Sequence, residues 1–246
     1  MGSWIGQSYR RGILTSRFPA APPSDEERPV TARAVRAADP RAYSANIDRC
    51  PVGAIAAPGV DAGRCIRCAR CLAGGLLFVG PESPSRAERA ALGPEPDPRP
   101  TSAEPAPLRG LGRSLHLFLI DVGSCDACTR EVFALANPYY DASRLGIFFT
   151  NSPRHADVLL VVGVPTPEMA EPLRRAYDAL PAPKAVVAVG VCPISGGAFA
   201  GTPGLDRNLA ELVPVDRFVP GCPPTPVAVL EALERLIGRP PAPEGG

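Results

Sequence analysis

Apolar residues in the second half of the chain fall into short, β-rich runs separated by stretches with helical periodicity. LHLFLID (115–121), GIFFT (146–150), DVLLVVG (157–163) and AVVAVG (185–190) read as four buried strands. Between and after them, TREVFALANP carries apolar residues at Val132, Leu135 and Ala136, while TPEMAEPLRRAYDAL and TPVAVLEALERLIG read as two further helices. Strands alternating with helices predict an α/β domain with a parallel sheet covered by helices on both faces. In such sheets ligands gather at the carboxyl ends of the strands. Cys125 and Cys128 follow the first strand in DVGSCDACTRE, Cys192 follows the fourth in VAVGVCPISGG, and Cys222 lies in VPGCPPTP before the last helix. The pattern therefore predicts that these four cysteines converge at one edge of the sheet as a four-Cys site. A thioredoxin-like redox pair at Cys125 and Cys128 would leave Cys192 and Cys222 unexplained, and no helix start stands at the first of the two.

The periodicity stops in the preceding stretch. GPESPSRAERAALGPEPDPRPTSAEPAPLRGLGR is rich in Pro, Glu and Arg and poor in large apolar residues, so residues 80–112 are expected to be a semi-extended linker, with AERAAL able to form a short helical turn. It separates residues 1–79 from residues 113–246. The first unit holds the other four of the eight cysteines, in CPVGAIAAPGVDAGRCIRCARCLAGG (50–75).

These four are one half of a familiar double pattern. Bacterial ferredoxins use C-x2-C-x2-C-x3-C-P twice, and the fourth Cys of each run ligates the cluster held by the other. Counting back from Cys50, the other positions of the first run are Pro40, Tyr43 and Asn46, none an iron ligand. Counting forward from Cys65, the second run keeps Cys65, Cys68 and Cys71, but Gly75 and Leu76 stand where Cys-Pro belongs. Because the fourth Cys crosses over, Cys50, Cys65, Cys68 and Cys71 make the full ligand set of one [4Fe–4S] cluster, and the lost positions make the full set of the other. A four-Cys zinc site or buried thiols are the alternatives, but a zinc ribbon pairs two C-x2-C knuckles and accounts for neither Pro51 nor Cys71.

Composition narrows the partners. With 26 basic and 25 acidic residues the formal net charge is +1, which leaves no electrostatic footprint for nucleic acid or an anionic membrane surface. Lys184 is the only lysine. Arg10 and Arg11 form a twin-arginine pair, but the residues after them supply neither an apolar stretch nor a small-residue cleavage site. No apolar run reaches the length of about 18 residues that a membrane helix needs. The cysteines are expected as metal ligands in a reducing compartment rather than as disulfides.

CDACTRE, NSPRHADVLLVVG, the GVC triplet and PGCPPTP, in that order, resemble the small electron-transfer subunit shared by [NiFe] hydrogenases and the 20 kDa subunit of respiratory complex I. The resemblance covers roughly residues 113–240. The first unit, whose Gly53 and Ile55 in PVGAI complete its resemblance to bacterial ferredoxins, similarly resembles through WIGQSYRRGILTSRFP the ferredoxin-type subunit that neighbours this one in formate hydrogenlyase and complex I, as if two adjacent subunits were fused. The resemblance implies a degenerate ferredoxin-like domain joined to a flavodoxin-like domain, and two [4Fe–4S] clusters. It also implies a hydrogenase-type large subunit, other membrane-complex subunits and an external electron donor or acceptor as partners. Complex I members carry adjacent cysteines at the first motif; here Asp126 and Ala127 separate them, as in the hydrogenase branch, although many members have Gly where Ala127 stands. The expected role is an electron wire on the cytoplasmic side of the membrane, with a quinone-reducing complex I-like subunit as the alternative and a zinc-stabilised scaffold behind both.

No nickel–iron ligand set of its own is expected in this chain. Glu131 matches an acidic position of the family near the subunit interface, where a proton relay competes with a simple helix-start carboxylate. His155 and Arg154 in SPRHADV have loop support or interface packing as their leading roles.

Overall fold

The computed structural model describes residues 44–56, 59–74, 108, 111, 114–205 and 208–238. Positions Pro40, Tyr43, Gly75 and Leu76, the WIGQSYRRGILTSRFP segment and all of residues 80–112 except Leu108 and Leu111 lie outside the described residues. Of the expected ferredoxin-like unit, the structure describes a two-stranded hairpin and the cysteine-bearing segments on either side of it. Strands β1 (Ile55–Ala56) and β2 (Gly59–Val60) pair antiparallel, with Ile55 opposite Val60. Ala54 and Ile55 are buried.

The second half builds β3 (Leu115–Asp121), α1 (Ala127–Ala134), β4 (Ile147–Phe149), β5 (Val158–Val162), α2 (Pro167–Ala179), β6 (Ala185–Val189), α3 (Val191–Ser195), β7 (Arg217–Val219) and α4 (Pro226–Leu236). β3 to β7 form a five-stranded sheet in the order β4-β3-β5-β6-β7, every pairing parallel. Every residue of β5 (VLLVV) and β6 (AVVAV) is buried, because helices cover both faces of the sheet's centre. The pleat divides them. Val158, Leu160 and Val162 pack with Val132 and Leu135 near α1 and with Val229, Leu230 and Leu233 of α4. Leu159 and Val161 face the other way, onto Leu173 and Ala176 of α2 and onto Leu180. The register sets Leu160 between Leu119 and Val187.

Local chemistry starts and stops these elements where the packing needs them. Thr225 caps α4, its side chain accepting the Ala228 N–H at 3.3 Å, and Pro226 occupies the first helical position, where no N–H is missed. The chain order reverses between β3 and β5, with β4 outside β3, which puts a topological switch point at the carboxyl ends of these two strands.

Two elements go beyond the four strands and three helices expected. β7 has three residues, two of them only partly buried, and α3 is a five-residue turn of helix. Neither is long enough to display a period. Ala136, expected on the buried face of the first helix, lies past its end and is exposed.

The core also reaches into the Pro-rich stretch. Leu108 is fully buried and donates its backbone N–H to the Leu236 carbonyl at 3.1 Å, and Leu111 packs against the same cluster. The packed unit therefore begins earlier than the expected boundary at residue 113. Leu108→Ala should cost about 2–5 kcal/mol of stability, as other large-to-small core changes do, read as a lower denaturant midpoint for the full chain. A midpoint unchanged from wild type would show that residue 108 is not part of this core.

Candidate metal centre

Asp121 ends β3 and shapes the loop that presents the first pair of cysteines. Its Oδ1 accepts the N–H groups of Gly123 at 2.9 Å and Ser124 at 2.8 Å, and its Oδ2 accepts the Ser124 hydroxyl at 2.5 Å and the Thr129 hydroxyl at 3.4 Å. Burial alone would raise its pKa, but these hydrogen bonds outweigh burial and hold the carboxyl below its ordinary value. Ser124 Oγ accepts the Asp126 N–H at 3.0 Å. Asp126 is left-handed (φ 70°) and turns the chain into α1, with its carboxylate accepting from Arg130 Nε at 2.6 Å. The result sets Cys125 exposed in the loop and Cys128 buried in the first turn of α1.

The other two cysteines arrive on loops tied to one another. The Gly190 N–H donates to the Val219 carbonyl at 2.8 Å, and the Val191 N–H to the Gly221 carbonyl at 3.0 Å, so the loops after β6 and β7 run together. Cys192 sits buried in α3 and Cys222 half-buried just beyond Gly221. On the opposite side, the Val164 N–H donates to the Gly123 carbonyl at 3.1 Å, joining the loops after β5 and β3. Gly190 has φ +93°, and a Cβ there would stand 2.5 Å from Cys128 Sγ. The absence of a side chain at Gly190 is what lets the loop after β6 lie against the α1 cysteine.

Electrostatics shows the same convergence. Burial, followed by the fields of Cys192, Cys222, Cys125 and Glu131, pushes the Cys128 thiol up to about 12. Burial, then Cys222 and Cys125, pushes Cys192 up to about 11. Cys222 is raised by burial and by Cys125, against the lowering field of Arg67. All four expected cysteines are thus neighbours at the carboxyl edge of the sheet. Glu131 is half-buried on α1, and burial raises its carboxyl.

The first unit brings its four cysteines together in the same way. Cys50 accepts the Ala54 N–H on its Sγ at 3.2 Å. The chain returns through β1 and β2, the Asp61 N–H donates to the Ala54 carbonyl at 2.7 Å, and the Cys65 N–H donates to the Asp61 carbonyl at 3.0 Å. Cys65 is raised first by burial and then by Cys50 and Cys71, while the backbone N–H and the charge of Arg67 oppose the rise. Cys71 is raised by burial and by Cys68 and Cys50. Cys50 therefore lies beside the C-x2-C-x2-C run rather than apart from it. Asn46, at one of the lost ligand positions, is buried.

One feature had no signal in the sequence: the two groups adjoin. Ser195, three residues after Cys192, donates its hydroxyl to the Gly63 carbonyl at 2.7 Å, and Ile66 packs against a small cluster of Val164, Val191 and Cys192, to which Leu205 and Cys222 also belong. Hydrophobic periodicity cannot foretell a contact between residues 132 apart. His155 and Arg154 are exposed in a single 3-10 turn (Pro153–His155) that leads into the amino end of β5.

All eight cysteines are free of disulfides. Among the described residues, no group of three or more His, Cys, Asp or Glu side chains is found that could hold a metal ion. The features that do suit an iron–sulfur cluster are the two sets of four thiols, backbone N–H groups turned onto cysteine sulfur, and the side-chain-free cradle at Gly190.

Comparison with known proteins places the chain. Residues 125–236 match the family model described as NADH ubiquinone oxidoreductase, 20 Kd subunit. A probable membrane-bound hydrogenase subunit of Pyrococcus furiosus is 45% identical over 130 residues, which is 51% of this chain and 78% of that protein. Formate hydrogenlyase subunit 7 of Escherichia coli is 40% identical over 131 residues, 53% of this chain and about half (51%) of that relative's length. Among solved structures, a chain of the archaeal membrane-bound sulfane sulfur reductase is 32% identical with a TM-score of 0.47, covering 52% of this chain and 71% of that one. No helix of the described residues is long and apolar enough to cross a membrane.

Gly190→Ala should displace Cys128 and lower the iron bound per chain by about half, because the new Cβ meets sulfur. Gly201→Ala is the control, since its φ of +79° is equally strained but nothing lies within 4 Å of the added carbon. Iron content equal in the two variants would show that backbone strain, and not the cradle, is what matters.

Proposed function

Because the chain belongs to the family of the complex I 20 kDa subunit and the [NiFe] hydrogenase small subunit, and so is an oxidoreductase subunit, we propose that it is the electron-transfer subunit of a membrane-bound, formate hydrogenlyase-like [NiFe] hydrogenase complex. The observation that carries this reading is the pair of adjoining four-cysteine groups, one at the carboxyl edge of the sheet and one beside the β1–β2 hairpin. Cys125, Cys128, Cys192 and Cys222 hold one [4Fe–4S] cluster, and Cys50, Cys65, Cys68 and Cys71 hold the other. When bound, such clusters accept and release single electrons at potentials set by hydrogen bonding, net charge and exposure.

The chain's own residues do the rest. The hydrogen-bonded loops after β3, β6 and β7 fix the sheet-edge set, the Ala54 N–H stabilises charge on Cys50, and the packing of Ile66 keeps the two sets side by side. The sheet-edge set faces a separate hydrogenase-type large subunit that holds the catalytic centre, and the hairpin set exchanges electrons with an external donor or acceptor. The separation of Cys125 from Cys128 by two residues favours the hydrogenase branch over quinone reduction. The complex is peripheral on the cytoplasmic face of the membrane, held there by other subunits. Residues 1–79 act as the ferredoxin-like unit, and the Pro-rich stretch from residue 80 to the core-packed Leu108 as its tether.

Glu131 relays protons between the partner's centre and solvent. It is half-buried on the helix that carries Cys128, and burial already favours its protonated form.

Full-length protein co-produced anaerobically with its large subunit should hold two [4Fe–4S] clusters, about eight iron and eight sulfide per chain. Cys50→Ser and Cys65→Ser should each remove one cluster's iron, and the double variant should lose no more than either single one. Additive loss would place the two residues in different sites, and zinc in place of iron would leave only the scaffold reading. Glu131→Gln should slow turnover and solvent proton exchange while iron content and cluster potentials stay at wild-type values. If those potentials move as much as the rate does, Glu131 is structural and the relay fails.

A further inference from the structure

The Ser195 hydroxyl joins the two cysteine-bearing units, donating to the Gly63 carbonyl at 2.7 Å. Both partners belong to short, firmly built pieces of chain. On the hairpin side Asp61 builds the turn. Its Oδ1 accepts the Gly63 N–H at 2.8 Å, and its carbonyl accepts the N–H groups of Arg64 at 3.1 Å and Cys65 at 3.0 Å. The Arg64 guanidinium stands 3.6 Å from Asp61 Oδ2 on the outside of the same turn. Gly63 is buried within it, two residues before Cys65. Any shift of the Gly63 carbonyl is therefore a shift of Cys65.

On the other side Ser195 ends α3, about one helical turn after Cys192. The Val191 N–H donates to the Gly221 carbonyl at 3.0 Å and the Gly196 N–H to the Cys192 carbonyl at 2.9 Å, so α3 is fixed to the edge loops at both ends. The serine hydroxyl also lies 3.2 Å from the Val191 carbonyl within its own helix. A hydroxyl carries one hydrogen, so the shorter bond to Gly63 takes it, and the helix carbonyl serves when the turn lifts away. The Gly63 carbonyl has no such alternative, because among the described residues no other donor reaches it. Without the hydroxyl a buried acceptor is left unpaired, which favours lifting the turn toward water. Ile66 adds apolar contact with Val164, Val191 and Cys192, but burial of this kind has no preferred direction. The hydrogen bond does, and it fixes how the turn sits on α3.

We propose that Ser195 is a positioning residue for electron transfer within this chain: its bond to Gly63 holds the two cysteine sets at one separation, so that an electron passes directly between them. The proposal rests on the two-cluster reading above. In each transfer one set is oxidised by one electron as the other is reduced by one. The electron enters or leaves through the external one-electron donor or acceptor and the large subunit. Ser195 exchanges neither electron nor proton. It acts on distance, with which electron transfer between centres falls steeply.

The test uses the full chain with its large subunit, in wild type, Ser195→Ala and Ser195→Thr. Iron and sulfide analysis of wild type comes first, and fewer than two clusters there would fail the two-cluster reading rather than this one. Amide hydrogen exchange then reads the seating of the turn. EPR of the fully reduced protein reads the magnetic coupling between the two sets, which reports their separation. Ser195→Ala should speed amide exchange in the Asp61–Cys65 turn by about fivefold, the worth of one hydrogen bond, while β3 keeps its wild-type rates. The coupling should become weaker and more widely spread. Ser195→Thr, which keeps a hydroxyl, should restore both readings. Two clusters without coupling in wild type overturn the proposal at once. Wild-type exchange and coupling in Ser195→Ala also overturn it, because Ile66 alone then seats the turn. Faster exchange with unchanged coupling overturns it too, since the hydroxyl then steadies the turn without setting the separation. Equal changes in Ala and Thr overturn the role of the hydroxyl. Should Ser195→Ala lose a cluster, the exchange comparison decides: a turn loosened in Ala and wild-type in Thr supports the proposal, and one loosened in both overturns it.

Discussion

The arrangement depends on backbone pairing between loops at the carboxyl edge of the sheet. Parallel strands end side by side, and here the pairing continues for a few residues past them: Val164 with Gly123, Gly190 with Val219, Val191 with Gly221. Each bond satisfies a polar group that would otherwise be buried without a partner, and each brings cysteine-bearing loops to within contact of their neighbours. Burial and the neighbouring sulfurs disfavour the thiolate form there, raising the pKa of Cys128 to about 12. The loops hold the cysteines together, and the missing side chains at Gly190 and Gly197 leave room for the sulfurs of Cys128 and Cys192.

The second dependence is the contact between the two cysteine-bearing units. A Pro-rich stretch separates them in sequence, yet the Ser195 hydroxyl meets the Gly63 carbonyl, and Ile66 enters a cluster lined by Cys192 and Cys222. The burial of Leu108 ties the far end of that Pro-rich stretch to the sheet's core.

The relatives named for membrane-bound hydrogenase and formate hydrogenlyase match about half of this chain. The matched family segment, 125–236, begins at Cys125 and contains Cys128, Cys192 and Cys222. The hairpin group lies outside that segment, so its reading stands on the crossover spacing and on the way Cys50 is brought beside Cys65 and Cys71.

Much of this was legible from residue order alone. Fully apolar runs such as VLLVV and AVVAV can only be buried on both faces, and their alternation with amphipathic stretches left a helix-covered parallel sheet as the natural outcome. The two groups of four cysteines were expected from spacing in one half and from the position of cysteines after strands in the other. What the sequence could not reveal is of another kind. β7 and α3 are too short to carry a period, so they form only because β6 and the edge loops are there to pair with them. The burial of Leu108, the Gly190 cradle and the contact of Gly63 and Ile66 with the sheet-edge loops all depend on residues far apart in the chain meeting in space. Local pattern determines which faces of an element must be buried, because that depends on each residue's own neighbours. Which surfaces meet is decided by packing, because it depends on the shape and polarity of elements that no short window contains.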